Sequence, residues 1–233
     1  MKRHLINRDQ KAKRWVRSEV LLNVIKHKPP VIFITDEKLF WVDRVSNSRH
    51  DRYISSLKAE EVPDNIRYTF KTKHPAALMV FCLVASDGNK MPPVFIDQGL
   101  KITADIYINI LKNHVKLWIE ATYPANTKYI YQNDGAPAHT AKKTEEWMEK
   151  NFVAFWGKEM WPPSSPDLNP LDYSIWAKVE EDACSKPHSS VTSLKASVET
   201  AWSNLSKGYI KKTCHAFRGR LEAVVVKEGL HIE

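Results

Sequence analysis

Two aspartates follow segments that are typical of buried strands. Asp36 comes after the β-branched and aromatic run VIFIT, and Asp134 comes after KYIYQN. Because ligands of open α/β sheets gather at the carboxyl ends of the strands, the two side chains are expected to converge. A charge at that edge is costly unless a cation or hydrogen bonds offset it. Two carboxylates there would suit Mg²⁺, which prefers hard oxygen ligands.

A third aspartate, Asp172, lies in a different setting, within the run PDLNPLDY. There Asn169 is expected to cap a helix, with Asp172 as its third residue. Each aspartate also has a purely structural interpretation. Asp36 could end a strand in a turn, Asp134 could form an Asp-Gly turn, and Asp172 could answer the helix dipole. Asp167 competes with Asp172 for that last role.

Taken together, the segments ITDEKLF, YQNDGAPAHTA and PPSSPDLNPLDYSIW resemble the three catalytic blocks of mariner-superfamily transposases. Matched residue by residue, Asp36, Asp134 and Asp172 take the places of the three acids of that family's DDE/D triad. The 37 residues between Asp134 and Asp172 resemble the lineage with a 37-residue gap and a final aspartate. The resemblance covers about residues 25–185.

The resemblance implies a metal-dependent enzyme that cuts DNA strands and transfers them. In the family arrangement Asp36 bridges two Mg²⁺ ions, for which Mn²⁺ can substitute, while Asp134 and Asp172 each hold one ion. His139 matches the histidine of the second block and would contact the scissile phosphate or a metal-bound water. The alternative is a histidine at a helix start that is satisfied locally. Asn169 is expected to support the site as a cap.

The resemblance also implies partners and a place in the cell. Transposon ends and target DNA are the expected DNA partners, the chain is expected to form a homodimer, and a nuclear location follows. The stretch NSRHDRYISS (47–56) resembles a family loop that reaches a partner subunit, which predicts that role for residues 46–66.

Three neighbouring residues are expected to have no direct part in the chemistry. Glu37 leaves the opposite face of the strand from Asp36, so direct metal binding by Glu37 is not expected. Trp161 and Trp176 are expected in the core rather than stacked on DNA.

The elements that must position these residues follow from apolar periodicity. The predicted strands cover 31–36, its hairpin partner 39–45, 76–85, the edge strand 91–97, 128–133 and 153–161. The predicted helices cover 8–27, 103–121, 139–151, 170–182, 190–206 and 208–227. This order predicts an α/β fold with a mixed sheet flanked by helices, compatible with the ribonuclease-H-like fold that the resemblance implies.

Three stretches make up the expected domain organisation. Residues 1–29 form a basic helical arm, 30–185 the catalytic domain, and 186–233 a C-terminal helical extension of the same domain. Complete transposases of this family consist of two parts, a pair of helix-turn-helix modules and the catalytic domain. About 30 residues are too few for one such module with its linker. We therefore expect a truncated catalytic domain that lacks the DNA-binding region.

Charge and composition limit the classes of function that the chain could have. The 233 residues carry a net charge of +8, and the excess lies at the ends, with +7 in residues 1–28 and +5 in 207–220. Basic ends indicate a polyanionic partner, although solvated basic helices would look the same. The three separated cysteines argue against a disulfide framework or a structural zinc site. No apolar run is long enough to predict a membrane span.

Two other functions stay open at this level. The chain could be a non-catalytic, nucleic-acid-binding remnant of a transposon, whose basic ends bind without sequence preference. It could also be a ribonuclease-H-type nuclease that uses the same acids on RNA–DNA hybrids.

Overall fold

The computed structural model describes residues 6–26, 30–43, 54–58, 60–68, 72–97 and 99–232. The strands are β1 Val31–Trp41, β2 Ala77–Ala85, β3 Val94–Ile96, β4 Tyr129–Gln132 and β5 Phe155–Trp156. The helices are α1 Arg8–Val24, α2 Asp64–Arg67, α3 Ala104–Ile110, α4 Leu117–Thr122, α5 Lys142–Asn151, α6 Trp176–Ala183, α7 Val191–Asn204 and α8 Lys207–Val226. Two π-helical segments, Leu111–Lys116 and Leu171–Ile175, lead into α4 and α6.

The five strands form one mixed sheet in the order β3-β2-β1-β4-β5. β1, β4 and β5 are parallel, whereas β2 and β3 join the other side of β1 antiparallel. The predicted mixed sheet with flanking helices is therefore confirmed. β3 lies at the edge, as predicted from the prolines in MPPVFI that cannot donate to a sheet ladder.

The sheet separates two apolar clusters because successive side chains of a strand point to opposite faces. Ile32 and Ile34 of β1 pack on one face with residues of α6, α7 and α8. Phe33 packs on the other face with residues of α3, α4 and α5. The same alternation turns Asp36 toward α6 and Glu37 toward α5.

One predicted strand pair is wrong. β1 runs unbroken from Val31 to Trp41, so the segment 39–45 is not a hairpin partner of 31–36. The antiparallel partner is β2, in which Cys82 lies opposite Asp36. The charged residues of TDEK do not end the strand because they find partners: Lys38 pairs with Glu180 at 3.2 Å. Asp36 therefore lies within β1 rather than at its end.

The N-terminal helix is tied to the rest of the fold by a buried arginine. Arg14 of α1 is fully buried, and its guanidinium donates to both carboxylate oxygens of Asp167 at 3.1 and 2.8 Å. It also donates to the carbonyl oxygens of Gly229 and Ser164, each at 2.9 Å. Asp167 further accepts the Ile232 amide at 3.0 Å. α1, the loop before α6 and the C-terminal residues thus meet at one ion pair.

Most of the stretch 47–56, for which a contact with a partner subunit is predicted, lies outside the described residues. In the ranges that the structure describes, no helix combines the length and the apolar character that crossing a membrane requires.

Candidate active site

The central strand pair brings the first two aspartates to the same edge of the sheet. β1 and β4 are parallel, and their register pairs Ile34 with Gln132. Asp36 and Asp134 each lie two residues beyond this last pair, so they leave the pair at the same level. The register therefore places the two residues side by side where β4 ends, while β1 continues to Trp41.

Asp172 lies in the π-helical segment Leu171–Ile175, which leads into α6. The Asn169 side chain accepts the Leu171 amide at 3.0 Å, and Pro170 is the residue that directly precedes the π-helical segment. The side-chain nitrogen of Asn169 also donates to the Thr35 carbonyl oxygen at 3.3 Å. Asn169 thereby ties the start of the segment that contains Asp172 to Thr35, the residue that precedes Asp36 in β1.

Asp36 and Asp172 lie against each other. Their carboxyl groups interact electrostatically, and the charge of Asp134 acts on both. Burial, together with the neighbouring charge of Asp172, raises the pKa of Asp36 to about 8. Burial also raises the pKa of Asp172, to about 6. Two acids in contact resist ionisation together unless a cation joins them.

A buried tryptophan, Trp176, also forms a hydrogen bond with Asp36. The Trp176 indole donates its N–H to Asp36 Oδ2 at 2.6 Å. Its ring is buried, as predicted, beside Phe40 and Trp202 at centroid distances of 5.9 and 6.1 Å. The sequence analysis missed the polar contact, whose signal was the position of Trp176 one helical turn after Asp172.

Asp134 is held by a turn and by His139. It accepts the Ala136 amide at 2.9 Å, so the Asp-Gly turn exists alongside any catalytic role. Its Oδ1 lies 2.5 Å from His139 Nδ1. Burial alone would raise the pKa of Asp134, but the hydrogen bond and charge of His139 outweigh burial and lower that pKa.

His139 is enclosed between two carboxylates. Its Nε2 lies 3.2 Å from Glu37 Oε1, and its ring stacks on Tyr107 at 3.9 Å between centroids. Burial opposes a charged ring, yet the carboxylates of Asp134 and Glu37 raise the pKa of His139 to about 10. Nδ1 is hydrogen-bonded to Asp134, whereas Nε2 is at ion-pair distance from Glu37 Oε1, a buried oxygen that has no hydrogen-bond partner among the described residues. Its contacts make it a support for Asp134.

Glu37 joins the site through His139 rather than through Asp36. It leaves the opposite face of β1 from Asp36, as expected, and there it meets His139 behind Asp134. Glu37, Asp134 and His139 place their ligand atoms within 4.8 Å of one another. Sequence reasoning did not find this link, because the loop between Asp134 and His139 sets it.

The charge balance of the site fits a divalent cation. Four carboxylates, those of Asp36, Glu37, Asp134 and Asp172, influence one another here. Among the described residues, His139 contacts Asp134 and Glu37, and the charge of Lys38, which pairs with Glu180, also acts on Asp172. The facing acids, Asp36 and Asp172, offer hard oxygen atoms, which Mg²⁺ and Mn²⁺ prefer.

No protein-family model matches the chain. It is 26% identical over 124 residues to the Tcb2 transposase of Caenorhabditis briggsae, which covers 53% of this chain and 43% of that protein. It is 22% identical to the Tc3 transposase of Caenorhabditis elegans over 94% of this chain and 75% of that protein. The chain therefore spans under half of the first relative and three quarters of the second.

The fold is that of the Mos1 mariner transposase. The structure of the Mos1 catalytic domain superposes with a TM-score of 0.78 over all of both chains, at 20% identity. The Mos1 paired-end complex with the left transposon end gives a TM-score of 0.83, covering 99% of this chain and 65% of that one. Other similar Mos1 structures were solved with Mn and with Mg.

These comparisons agree with the three sequence motifs. Both nematode relatives are transposases, and the mixed sheet with its helices matches the Mos1 catalytic domain. The ribonuclease-H-like α/β fold is confirmed: the chain is similar in sequence to two nematode transposases, and its fold matches that of the Mos1 catalytic domain.

Proposed function

We propose that the chain cuts DNA strands and joins them to target DNA as the catalytic domain of a mariner-type transposase. One observation carries the proposal: the buried carboxyl groups of Asp36 and Asp172 interact with each other, and the charge of Asp134 acts on both. These acids come from three separate parts of the chain, and each stands in the place that the family motif gives it. The transposase relatives and the Mos1 fold support the same activity.

The metal is proposed to be Mg²⁺, with Mn²⁺ as a substitute, bound as two ions. Asp36 would bridge them, as in the family arrangement, because its carboxyl group interacts with those of both other acids. Asp134 and Asp172 would each hold one ion. When bound, the metals supply activation of the attacking water or 3′-hydroxyl and stabilisation of the leaving oxyanion.

The chain's other residues keep these ligands in place. Asn169 fixes the start of the Asp172 helix against β1, and Trp176 orients Asp36 through its indole N–H. His139 holds Asp134 in one orientation from the opposite side. Because each ligand has a fixed second contact, little reorganisation is needed when the metal and DNA bind.

The proposed partners are transposon ends and target DNA, bound by a homodimer in the nucleus. The similar Mos1 structures include paired-end and strand-transfer complexes, which supports DNA as the substrate. A non-catalytic remnant is less favoured, because binding DNA through basic ends does not need three acids held against one another.

The test measures metal-dependent nicking of plasmid DNA by the purified chain, alone and joined to the DNA-binding region of a relative. We expect cleavage with Mg²⁺ or Mn²⁺, loss of cleavage on chelation, and loss in Asp134→Ala. Asp105→Asn is the control, because Asp105 is an exposed acid on α3 that pairs with Lys143. Absence of metal-dependent cleavage in both forms of the wild-type protein would refute the proposal.

Substrate choice separates the transposase from a ribonuclease-H-type nuclease with the same site. We expect cleavage of inverted-repeat DNA and no preference for RNA–DNA hybrids. A strong preference for the RNA strand of hybrids would favour the nuclease.

A further inference from the structure

A cavity of about 550 Å³ opens beside the acidic site. Asp134 and Asp172 line it, and so do two basic residues, Arg17 and Lys158. Trp161 adds apolar surface, together with the prolines at 162 and 163. One space therefore contains two of the proposed metal ligands, an apolar wall and two cations.

The backbone of Lys158 is held on both sides. Its amide donates to Glu145 Oε1 at 3.2 Å, and its carbonyl oxygen accepts from Arg17 Nη1 at 2.9 Å. Gly157 leaves room for this contact, since a Cβ there would lie 3.2 Å from Glu145 Oε1. Arg17 also donates to the Trp161 carbonyl oxygen at 2.8 Å and pairs with Glu159, so its guanidinium is occupied.

The Lys158 side chain, in contrast, is exposed and has no hydrogen bond or ion pair within the described ranges. Several other exposed lysines near acids are paired, such as Lys143 with Asp105 and Lys178 with Asp182. A solvated lysine needs no such support for its backbone. Here a fixed backbone presents a free ammonium at the rim of a cavity that contains catalytic carboxylates.

We propose that Lys158 binds a backbone phosphate of the DNA strand one or two nucleotides from the scissile phosphate, with the intervening nucleotide in this cavity. The inference rests on the proposed function, because it takes the acids as the place of cleavage. A DNA strand carries a regularly spaced row of phosphates, so a strand held at the acids presents further charges nearby. The Lys158 ammonium can pair with a phosphate oxygen, and the apolar surface that Trp161 and the two prolines provide can pack against the sugar or base.

The first experiment measures binding of a fluorescent DNA duplex to the full chain at several salt concentrations. Lys158→Gln should lower the slope of log K against log salt by about 0.9, the value for one lost phosphate contact. The matched control is Lys112→Gln, which removes an exposed lysine from the π-helical segment on the other face of the sheet. Equal slopes for wild type and Lys158→Gln, or equal losses in both variants, would overturn the proposal.

The second experiment neutralises single phosphates of the substrate as methylphosphonates. At one position within two nucleotides of the cut, wild type and Lys158→Gln should bind the neutral DNA equally well. If the difference between the two proteins persists at every position near the cut, Lys158 does not contact this strand there. Folding is checked by the melting temperature, which Lys158→Gln should leave unchanged because the side chain is exposed.

The outcomes separate this inference from the proposed function. Wild-type protein that cleaves DNA, with a Lys158→Gln variant of unchanged salt slope, overturns only the role of Lys158. Wild-type protein that binds DNA but never cleaves it overturns the proposed function. The inference then fails as well, since no cut defines the neighbouring phosphate.

Discussion

Asp167 and Asp172 lie five residues apart, but their surroundings are opposite. Asp167 accepts two hydrogen bonds from the buried Arg14 and another from the Ile232 amide. Asp172 faces Asp36, with the charge of Asp134 nearby. Both residues stand near a helix start in the same Pro- and Ser-rich segment, so helix-start patterning alone does not separate them, and only the resemblance to the third catalytic block points to Asp172.

The difference shows that the contacts of a buried acid indicate whether it is structural or a candidate metal ligand. An acid whose oxygens are filled by an arginine and an amide holds parts of the chain together. An acid beside another buried acid has a raised pKa, because the two carboxylates cannot easily ionise together, and a divalent cation between them would offset both charges. The predictions below test this distinction between Asp167 and Asp172.

The largest expected effect is on cleavage. Asp172→Asn should reduce the rate of metal-dependent cleavage by about a thousandfold or more, since loss of a metal ligand costs about 4 kcal/mol of transition-state stabilisation. The melting temperature should stay the same or rise, because the repulsion with Asp36 is relieved. Single-turnover cleavage and thermal melting measure the two effects. A large drop in melting temperature with retained cleavage would place Asp172 with the structural acids.

The next effect is on stability. Arg14→Met should lower the free energy of unfolding by about 3–5 kcal/mol, because it leaves Asp167 buried without its partner. Urea unfolding measures it, and the exposed Lys13→Met on the same helix is the control. The double variant Arg14→Met/Asp167→Leu should recover part of the loss. If Arg14→Met is as stable as wild type, the ion pair does not hold α1 to the fold.

Metal binding should stabilise the acidic site but leave the Arg14 cluster unaffected. At a Mn²⁺ concentration one hundred times its Kd, the free energy of unfolding should rise by about 2.7 kcal/mol. For a chain of this size each kcal/mol corresponds to about 2–4 °C in Tm. The increase should vanish in Asp36→Asn and persist in Arg14→Met. An equal increase in wild type and Asp36→Asn would mean that the metal binds elsewhere.

The smallest effect concerns the indole that contacts Asp36. Trp176→Phe should lower cleavage by about tenfold, since a hydrogen bond to a charged group contributes about 1.5–3 kcal/mol. Trp202→Phe is the matched control, because its indole donates to the Met91 carbonyl oxygen at 2.8 Å instead of to an acid. Both variants should lose similar stability, and only Trp176→Phe should lose activity. Parallel losses of activity would assign Trp176 to the core alone.

The sequence was sufficient where a local pattern determines the structure. The apolar run of 76–85 became β2, and the helical periodicity of 103–121 became α3, a π-helical segment and α4. The parallel register of β1 and β4 places Asp36 and Asp134 at the same level, although β1 continues to Trp41 beyond the end of β4. These inferences use strand and helix periodicity, which neighbouring residues alone specify.

The sequence was insufficient where contacts between distant parts of the chain determine the structure. β1 continues through Asp36 because β2, some forty residues later, pairs along its whole length. The contact of Glu37 with His139 and the pairing of Asp167 with Arg14 join residues about 100 and 150 positions apart. Such contacts depend on tertiary packing, which no local signal encodes.

The π-helical segment Leu171–Ile175 leaves the position of Asp172 sensitive to chain length. Asn169 anchors its start to β1, and the buried Trp176 anchors its end in the core. Removing one residue between these anchors would close the wide turn into an ordinary α-helical one. Because both ends are anchored, the residues within the turn would shift, so we expect a one-residue deletion here to move Asp172 relative to Asp36 and to abolish metal-dependent cleavage as fully as Asp172→Asn does.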